Sequence, residues 1–382
     1  MKNKKIHIIF VFTGFLSIVG LIALTDLDPK IIEEKFIYNE FDGGVISKKV
    51  NDLIIHKVDQ QGNVWASAGY SLYKKQPGIR KYMRVARLPI PPAIEYLGYF
   101  KSLRKLFNIE ELTEFMITKK GTLIVFAAGY VFRSDDSGRT FQRVHKIEKF
   151  GRGVGRGVMP QGYTQNLKGT IYWGEYFRNP QREKVKIWMS KDDGLTWQVA
   201  HQFNDGEIRH IHSVQYDHYS NKVWITTGDS DHESSIGFLD EDNVYKKIGS
   251  GSQKWRAVSL LFTNNYVIWG TDGVSDDYPK NQIWRWDRKK DKTFLSTDID
   301  SDAFYSAGGK DCMVITTDGK GNGGTLWISN DGTQWIDAIS WEEYKPDRHG
   351  TIRTIFVNDC TFYFTKINLN NYSVLTLKAQ LN

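Results

Sequence analysis

Two stretches of the chain share one pattern: Ser134-Asp135-Asp136-Ser137-Gly138-Arg139-Thr140-Phe141 and Ser190-Lys191-Asp192-Asp193-Gly194-Leu195-Thr196-Trp197, both S-x-D-x-G-x-T-[F/W]. A third copy, Ser329-Asn330-Asp331-Gly332-Thr333-Gln334-Trp335, is one residue shorter. The pattern specifies a tight hairpin turn. Glycine supplies the left-handed backbone such a turn requires, and Ser and Asp hold it shut by bonding nearby backbone groups. The closing aromatic opens the next strand. A turn repeated at this fidelity implies a repeat architecture.

A second pattern gives the period. A small or polar residue opens a dense β-type run at Gly62, Gly121, Gly169, Asn221, Asn265, Asp311 and Cys360, and successive starts lie 59, 48, 52, 44, 46 and 49 residues apart. That spacing suits one four-stranded propeller blade per run. Seven runs predict an all-β, seven-bladed β-propeller. Each run is placed as the second strand of its blade, after first strands such as 208–216 and 256–262. The last blade runs out of chain near Leu377, while 35–38 and 44–48 are β-like and unassigned. The N-terminal piece is therefore expected to pair with 371–377 and close the ring, removing an open sheet edge. The first, long spacing holds an insertion near 89–110: Pro89, Pro91 and Pro92 break the pattern, and Ala93 to Phe107 reads as an amphipathic helix packed on the rim.

The termini bear on location. Lys2, Lys4 and Lys5 precede an uncharged run from Ile6 to Thr25, long enough to span a bilayer and oriented by the lysines. Residues 1–30 are expected to act as a signal anchor, or a cleaved signal peptide, and 31–382 to form an exported propeller, membrane-anchored facing outside the cytoplasm or secreted. The net charge of +7 is spread among interspersed acids and bases, which leaves no nucleic-acid footprint. Cys312 and Cys360 occupy nearly the same place in neighbouring repeats and read as two buried thiols rather than a disulfide.

Candidate chemistry sits on the face opposite the repeated turns, where the longer connections run. Second strands end in an acid at one register: Glu175, Asp229, Asp272 and Asp318. First strands open with cations: Arg209 and His210, then Arg256, then Arg353. Arg156 lies on a glycine-rich approach, and Trp255 adds an aromatic surface. Arginines grip carboxylates through paired bonds, and aromatic faces suit sugar rings, so the expected partner is an acidic polysaccharide at the channel mouth. A structural ion pair between Arg256 and Asp229 or Asp272 is the competing reading. His210 and His212, with Gln215, could ligate a metal, but no closed ligand set is visible; no metal and no cofactor is expected.

The repeated turns resemble the Asp-box, or BNR repeat, of sialidases and related β-propellers. The resemblance carries over Ser134, Asp136, Gly138, Thr140 and Phe141, and Ser190, Asp192, Gly194, Thr196 and Trp197, which it implies are structural and distant from the active site. It implies a sialidase-like fold, with six blades as the alternative to the seven counted. The sialidase catalytic pattern does not carry over, since Arg87-Leu88-Pro89 replaces its early Arg-Ile-Pro in another context. Three activities remain open. A hydrolase would use paired carboxylates from Glu175, Asp229 and Asp272. A lyase would use His210 as base with Arg256 against the uronate. A non-catalytic module would only bind polysaccharide.

Overall fold

A computed structural model describes residues 27–379 except 42–43, 91–93, 108–111, 152, 310–311, 319–323, 342–351, 359 and 369–370. The expected membrane segment, 6–25, lies outside the described residues; among those described, no helix is long and apolar enough to cross a membrane.

The second strands are mostly apolar and buried on both sides rather than alternating, because each lies mid-sheet with a neighbouring blade on both faces. Val64–Ala68, Leu123–Ala127 and Met313–Thr317 are buried at every residue. Around them the described residues form seven antiparallel blade sheets of four or five strands, with a further two-stranded ribbon, Phe150–Gly151 with Gly155–Arg156, between blades 2 and 3. The blades start from inner strands Ile54–Val58, Leu112–Ile117, Tyr163–Gln165, Ile211–Asp217, Leu261–Phe262, Ala303–Gly308 and Ile352–Asn358. Trp173, Trp224 and Trp269, from the second strands of blades 3, 4 and 5, are almost wholly buried between sheets.

Ring closure follows the expectation. Asn371–Ala379 of blade 7 pairs antiparallel with Gly44–Asn51, which pairs in turn with Lys35–Phe41. The N-terminus so supplies the fourth and fifth strands of the last blade. It also adds a fifth strand to blade 1, where Ile31–Glu33 pairs with Lys81–Met83. Between these two strands Glu34 is buried and bonds Lys75 at 2.5 Å, with the Lys75 ammonium over the Tyr82 and Tyr363 rings. One segment thus links the first and last blades.

The three repeated turns share one hydrogen-bond scheme. The Ser190 hydroxyl accepts from Gly194 N–H at 2.8 Å, and Asp192 accepts from the Thr196 amide and hydroxyl at 2.9 and 2.5 Å. Asp136 and Asp331 do the same for Thr140 and Thr333. Gly194 has φ +84° and leans on Ile124 of the preceding blade.

Three expectations change. Cys312 and Cys360 are joined as a disulfide, with Cα atoms 5.4 Å apart; equivalent positions in adjacent blades face each other across the interface, so the bond staples blade 6 to blade 7. The insertion is not one helix but a 3₁₀ segment, Ile94–Tyr99, followed by an α-helix, Lys101–Phe107. Phe100, at the break, bridges to Leu27, and Tyr99 bonds the Leu88 carbonyl. The first strands of blades 4 and 5 begin later than expected, at Ile211 and Leu261. Side chains and a short turn take the backbone bonds there: Glu233 accepts from Arg209 N–H at 3.0 Å, Asn179 donates to the Arg209 carbonyl, and a 3₁₀ turn occupies Gln253–Trp255.

Candidate functional site

Late strand starts leave Arg209, His210 and Arg256 on irregular backbone at one channel mouth, facing the second-strand end that carries Asp229. Asp229 is the hub. Its Oδ2 accepts from Arg209 Nη1 at 2.7 Å, and its Oδ1 lies 3.5 Å from Arg256 Nη2. His210 and His212 each place Nε2 3.3 Å from the same Oδ1, and the two Nε2 atoms are 3.1 Å apart. Burial opposes ionisation of Asp229, but hydrogen bonds from the two histidines, and their charge where they are protonated, outweigh it and hold the carboxyl well below its usual range.

The far side of each imidazole explains this convergence. His210 Nδ1 meets the Phe177 carbonyl at 2.9 Å, and His212 Nδ1 meets the Ala257 carbonyl at 3.2 Å. A carbonyl can only accept, so each Nδ1 carries a proton and each Nε2 is turned inward. Burial holds His212 down to about 4, neutral at neutral pH. A proton or a cation has to sit among these inward-facing atoms. Donors roughly 2.1 Å from a first-row divalent ion, at angles near 90–109°, stand about 3.0–3.4 Å apart, which matches the observed triangle. Imidazole N–H groups fixed by backbone carbonyls are also the usual support of metal-binding histidines. His210, His212 and Asp229 are the group of metal-ligating side chains found among the described residues. Gln215 is engaged elsewhere: its amide donates to the Leu260 carbonyl and accepts from Leu260 N–H.

Arg256 bridges two blades. Beyond Asp229 it lies 3.1 Å from Asp272 Oδ2 and donates to the Asp229 carbonyl at 3.0 Å, so the ion pair considered from sequence is present. The pair is not sealed: the Arg256, Arg209 and Asp229 side chains stay 24%, 34% and 21% exposed. Asp272 is buried, which pushes it up to about 7 against the pull of Arg256.

Other candidates lie apart. Glu175 is buried and turned onto its own blade, accepting from Lys186 N–H at 2.9 Å and Trp188 Nε1 at 3.0 Å. Trp255 stacks on Trp269 at 5.4 Å between blades 4 and 5. Arg156 pairs by its backbone with Phe150 and lies 3.8 Å from Glu114. The Arg353 backbone pairs with Thr365, and its side chain lies outside the described residues. Sequence reasoning missed Tyr176, whose ring lies 4.2 Å from that of His210. Burial and the nearby Asp229 raise its phenol. Its signal was its place directly after Glu175, and in the ladder it holds the register of Asp272: its N–H bonds the Gly157 carbonyl as that of Asp272 bonds the Arg256 carbonyl.

No known family model matches this chain, and no curated protein does. Solved structures do. An oligogalacturonate lyase in complex with manganese is similar at TM-score 0.60 and 13% identity, over 93% of this chain and 98% of that one. The oligogalacturonate lyase of Vibrio parahaemolyticus gives 0.57 and 11%, over 91% and 97%. A chain of the mitotic checkpoint complex gives 0.54 and 8%, over 94% and 95%. At such identities the likeness establishes the fold, an all-β propeller, and that fold hosts unrelated functions.

Proposed function

We propose that this chain is an exported propeller that binds a divalent cation at His210, His212 and Asp229 and acts on an acidic polysaccharide at that channel mouth, as a lyase. The observation that carries this reading is the convergence of two inward-turned imidazole nitrogens on one carboxylate oxygen, 3.1–3.3 Å apart. The names of two structural neighbours, oligogalacturonate lyases, one with manganese, favour the same substrate class. The Cys312–Cys360 disulfide favours an oxidising compartment and so export by residues 6–25. The shared turns favour a place among Asp-box propellers.

A bound cation would neutralise the uronate carboxylate, acidifying the proton on the adjacent carbon. The chain's own groups do most of the rest. Arg209 and Arg256, each with some exposed guanidinium, are placed to add paired bonds to that carboxylate. Tyr176, its phenol raised and so protonated at neutral pH, suits proton donation to the departing glycosidic oxygen. β-Elimination breaks that C–O bond and leaves a C4=C5 double bond: the proton on the adjacent carbon passes to a solvent water at the open mouth, the departing oxygen takes the Tyr176 proton, and the phenolate is reprotonated from solvent. Sialidase-like hydrolysis is less well served: Glu175 is spent on its own hairpin and Asp272 is covered by Arg256.

Manganese titrated into metal-depleted protein should bind at one site per chain and be lost in His212→Ala. Polygalacturonate incubated with the loaded protein should gain the ultraviolet absorbance of unsaturated uronide, and Arg256→Ala should abolish most of that gain, with Arg256→Lys restoring little. Absent manganese binding and absent product together would refute the reading.

A further inference from the structure

The opposite mouth of the channel has its own cavity. It measures about 750 Å³ and runs from the inner strands of blades 1, 2 and 3 to the groove between blades 1 and 2. Its walls come from the short first-to-second turns, Asp59–Asn63 and Thr118–Thr122, and from Ser137 in a repeated turn. It therefore lies on the face away from His210 and Asp229. A volume of this size accommodates a small molecule or short oligosaccharide.

The charge of the wall is one-sided: Lys57, Lys74, Lys119 and Lys120 against the single acid Asp59. Asp59 is committed to its turn, accepting from Gln61 N–H, Asn63 N–H and Trp65 Nε1 at 2.9–3.0 Å. None of the four lysines forms an ion pair among the described residues. Lys74 lies over the Trp65 ring, 5.1 Å from its centre, and Lys119 donates to the Leu167 carbonyl. Phe115 also stacks on Trp65, which is buried, so the indole is covered and recognition falls to charge. Lys57 is the telling residue. A bulge between Ile55 and Lys57 re-aims its side chain, and Lys57 lines the cavity with no side-chain hydrogen bond among the described residues. Crowding by protein pushes its pKa down, with only Asp59 nearby to oppose this. Lys57 stays exposed at the cavity surface, and Asp59, the one carboxylate nearby, is already engaged by its own turn, so an anion that enters meets cations whose charge is not neutralised.

We infer that this cavity is a second binding site, for a small ligand carrying several negative charges, held by Lys57, Lys119 and Lys120. The inference is independent of the cation site. Carboxylated oligosaccharides and inorganic polyphosphate share the required chemistry, and the experiment separates them. A uronate trimer and inorganic tripolyphosphate are titrated separately, by calorimetry, into full-length protein depleted of metal on a chelating resin. At least one should bind saturably and weaken as salt is raised. Lys57→Met, which keeps the apolar stem, should weaken that binding at least roughly 10-fold, while melting temperature and manganese binding stay as in the parent. Lys120→Gln, at an exposed position, should weaken it in the same direction and serves should Lys57→Met fold poorly. Binding of the trimer alone identifies a saccharide site, and binding of tripolyphosphate identifies a general polyanion site. No saturable binding of either at millimolar concentration, or equal binding in parent and both variants, overturns the inference.

Discussion

Gly194 and Gly121 separate two costs that a glycine substitution usually mixes. Both hold left-handed backbone, at φ +84° and +87°. At Gly121 an added Cβ would meet nothing within 4 Å, whereas at Gly194 it would lie less than 3.0 Å from Ile124 Cδ1. Gly121→Ala should therefore cost only the backbone term, about 1–2 kcal/mol. Gly194→Ala carries that term plus overpacking of about 1–3 kcal/mol, because Ile124 is fully buried and has little room to yield. Ile124→Val removes the offending methyl and leaves the next atom, Cγ1, at 3.4 Å, an ordinary contact. The double variant should then be less destabilised than the sum of the singles by about 1–2 kcal/mol. Urea unfolding of the parent and the four variants reads this directly, with manganese binding expected to survive in each folded variant. Equal costs at the two glycines, or strict additivity of Gly194→Ala with Ile124→Val, would show that the turn does not lean on the preceding blade as described.

The disulfide closes 48 residues of chain, for which loop entropy gives about 4 kcal/mol. Cys312→Ala with Cys360→Ala should lower the melting temperature, and a reductant should lower that of the parent but not of the variant. Glu34→Gln leaves the Lys75 ammonium buried without its carboxylate and should cost about 3–5 kcal/mol in urea unfolding; adding Lys75→Met should recover much of it. Burial raises Asp272 from 3.8 to about 7, so between those values the folded state holds a proton the unfolded chain has released. Stability from this group is present at the acid end and is lost as pH rises through about 7; Asp272→Asn should flatten the slope of stability against pH in that window.

Blade number and closure were legible in the sequence because both rest on local signals that recur. Gly62, Gly121 and Gly169 mark turns whose backbone few other residues adopt, and they take φ values of +78° to +87°. The missing strand after Leu377 and the unassigned β segment near residue 44 had to satisfy each other, since an unpaired edge was the alternative. The disulfide was not legible in the same way. Near-equivalent places in two repeats do not fix whether two side chains face each other across an interface or each turn into its own sheet. The break in the inserted helix was hidden because the apolar spacing of Leu97, Phe100 and Leu103 is compatible with one continuous helix, and the bridge from Phe100 to Leu27 is tertiary.

The repeated acid at the end of the second strand shows where site reading from sequence stops. Glu175, Asp229 and Asp272 read from sequence as one register, but the ladder offsets them: Thr271 makes the backbone bonds that Glu175 makes, and Asp272 those of Tyr176, and their surroundings give the three acids different tasks. Glu175, one methylene longer, reaches back to the Lys186 amide and the Trp188 indole of its own third strand. Asp272 is drawn under Arg256 and loses water. Asp229 keeps a channel-facing position because Glu233 and Asn179 hold the backbone of Arg209 out of the ladder, which sets the guanidinium, His210 and His212 around it. What distinguishes the three acids is thus their offset along the second-strand ends together with the backbone just ahead of the first strands, at 209–210 in blade 4 and 256 in blade 5. Those stretches read as strand beginnings in the sequence, and only their departure from the ladder creates the site.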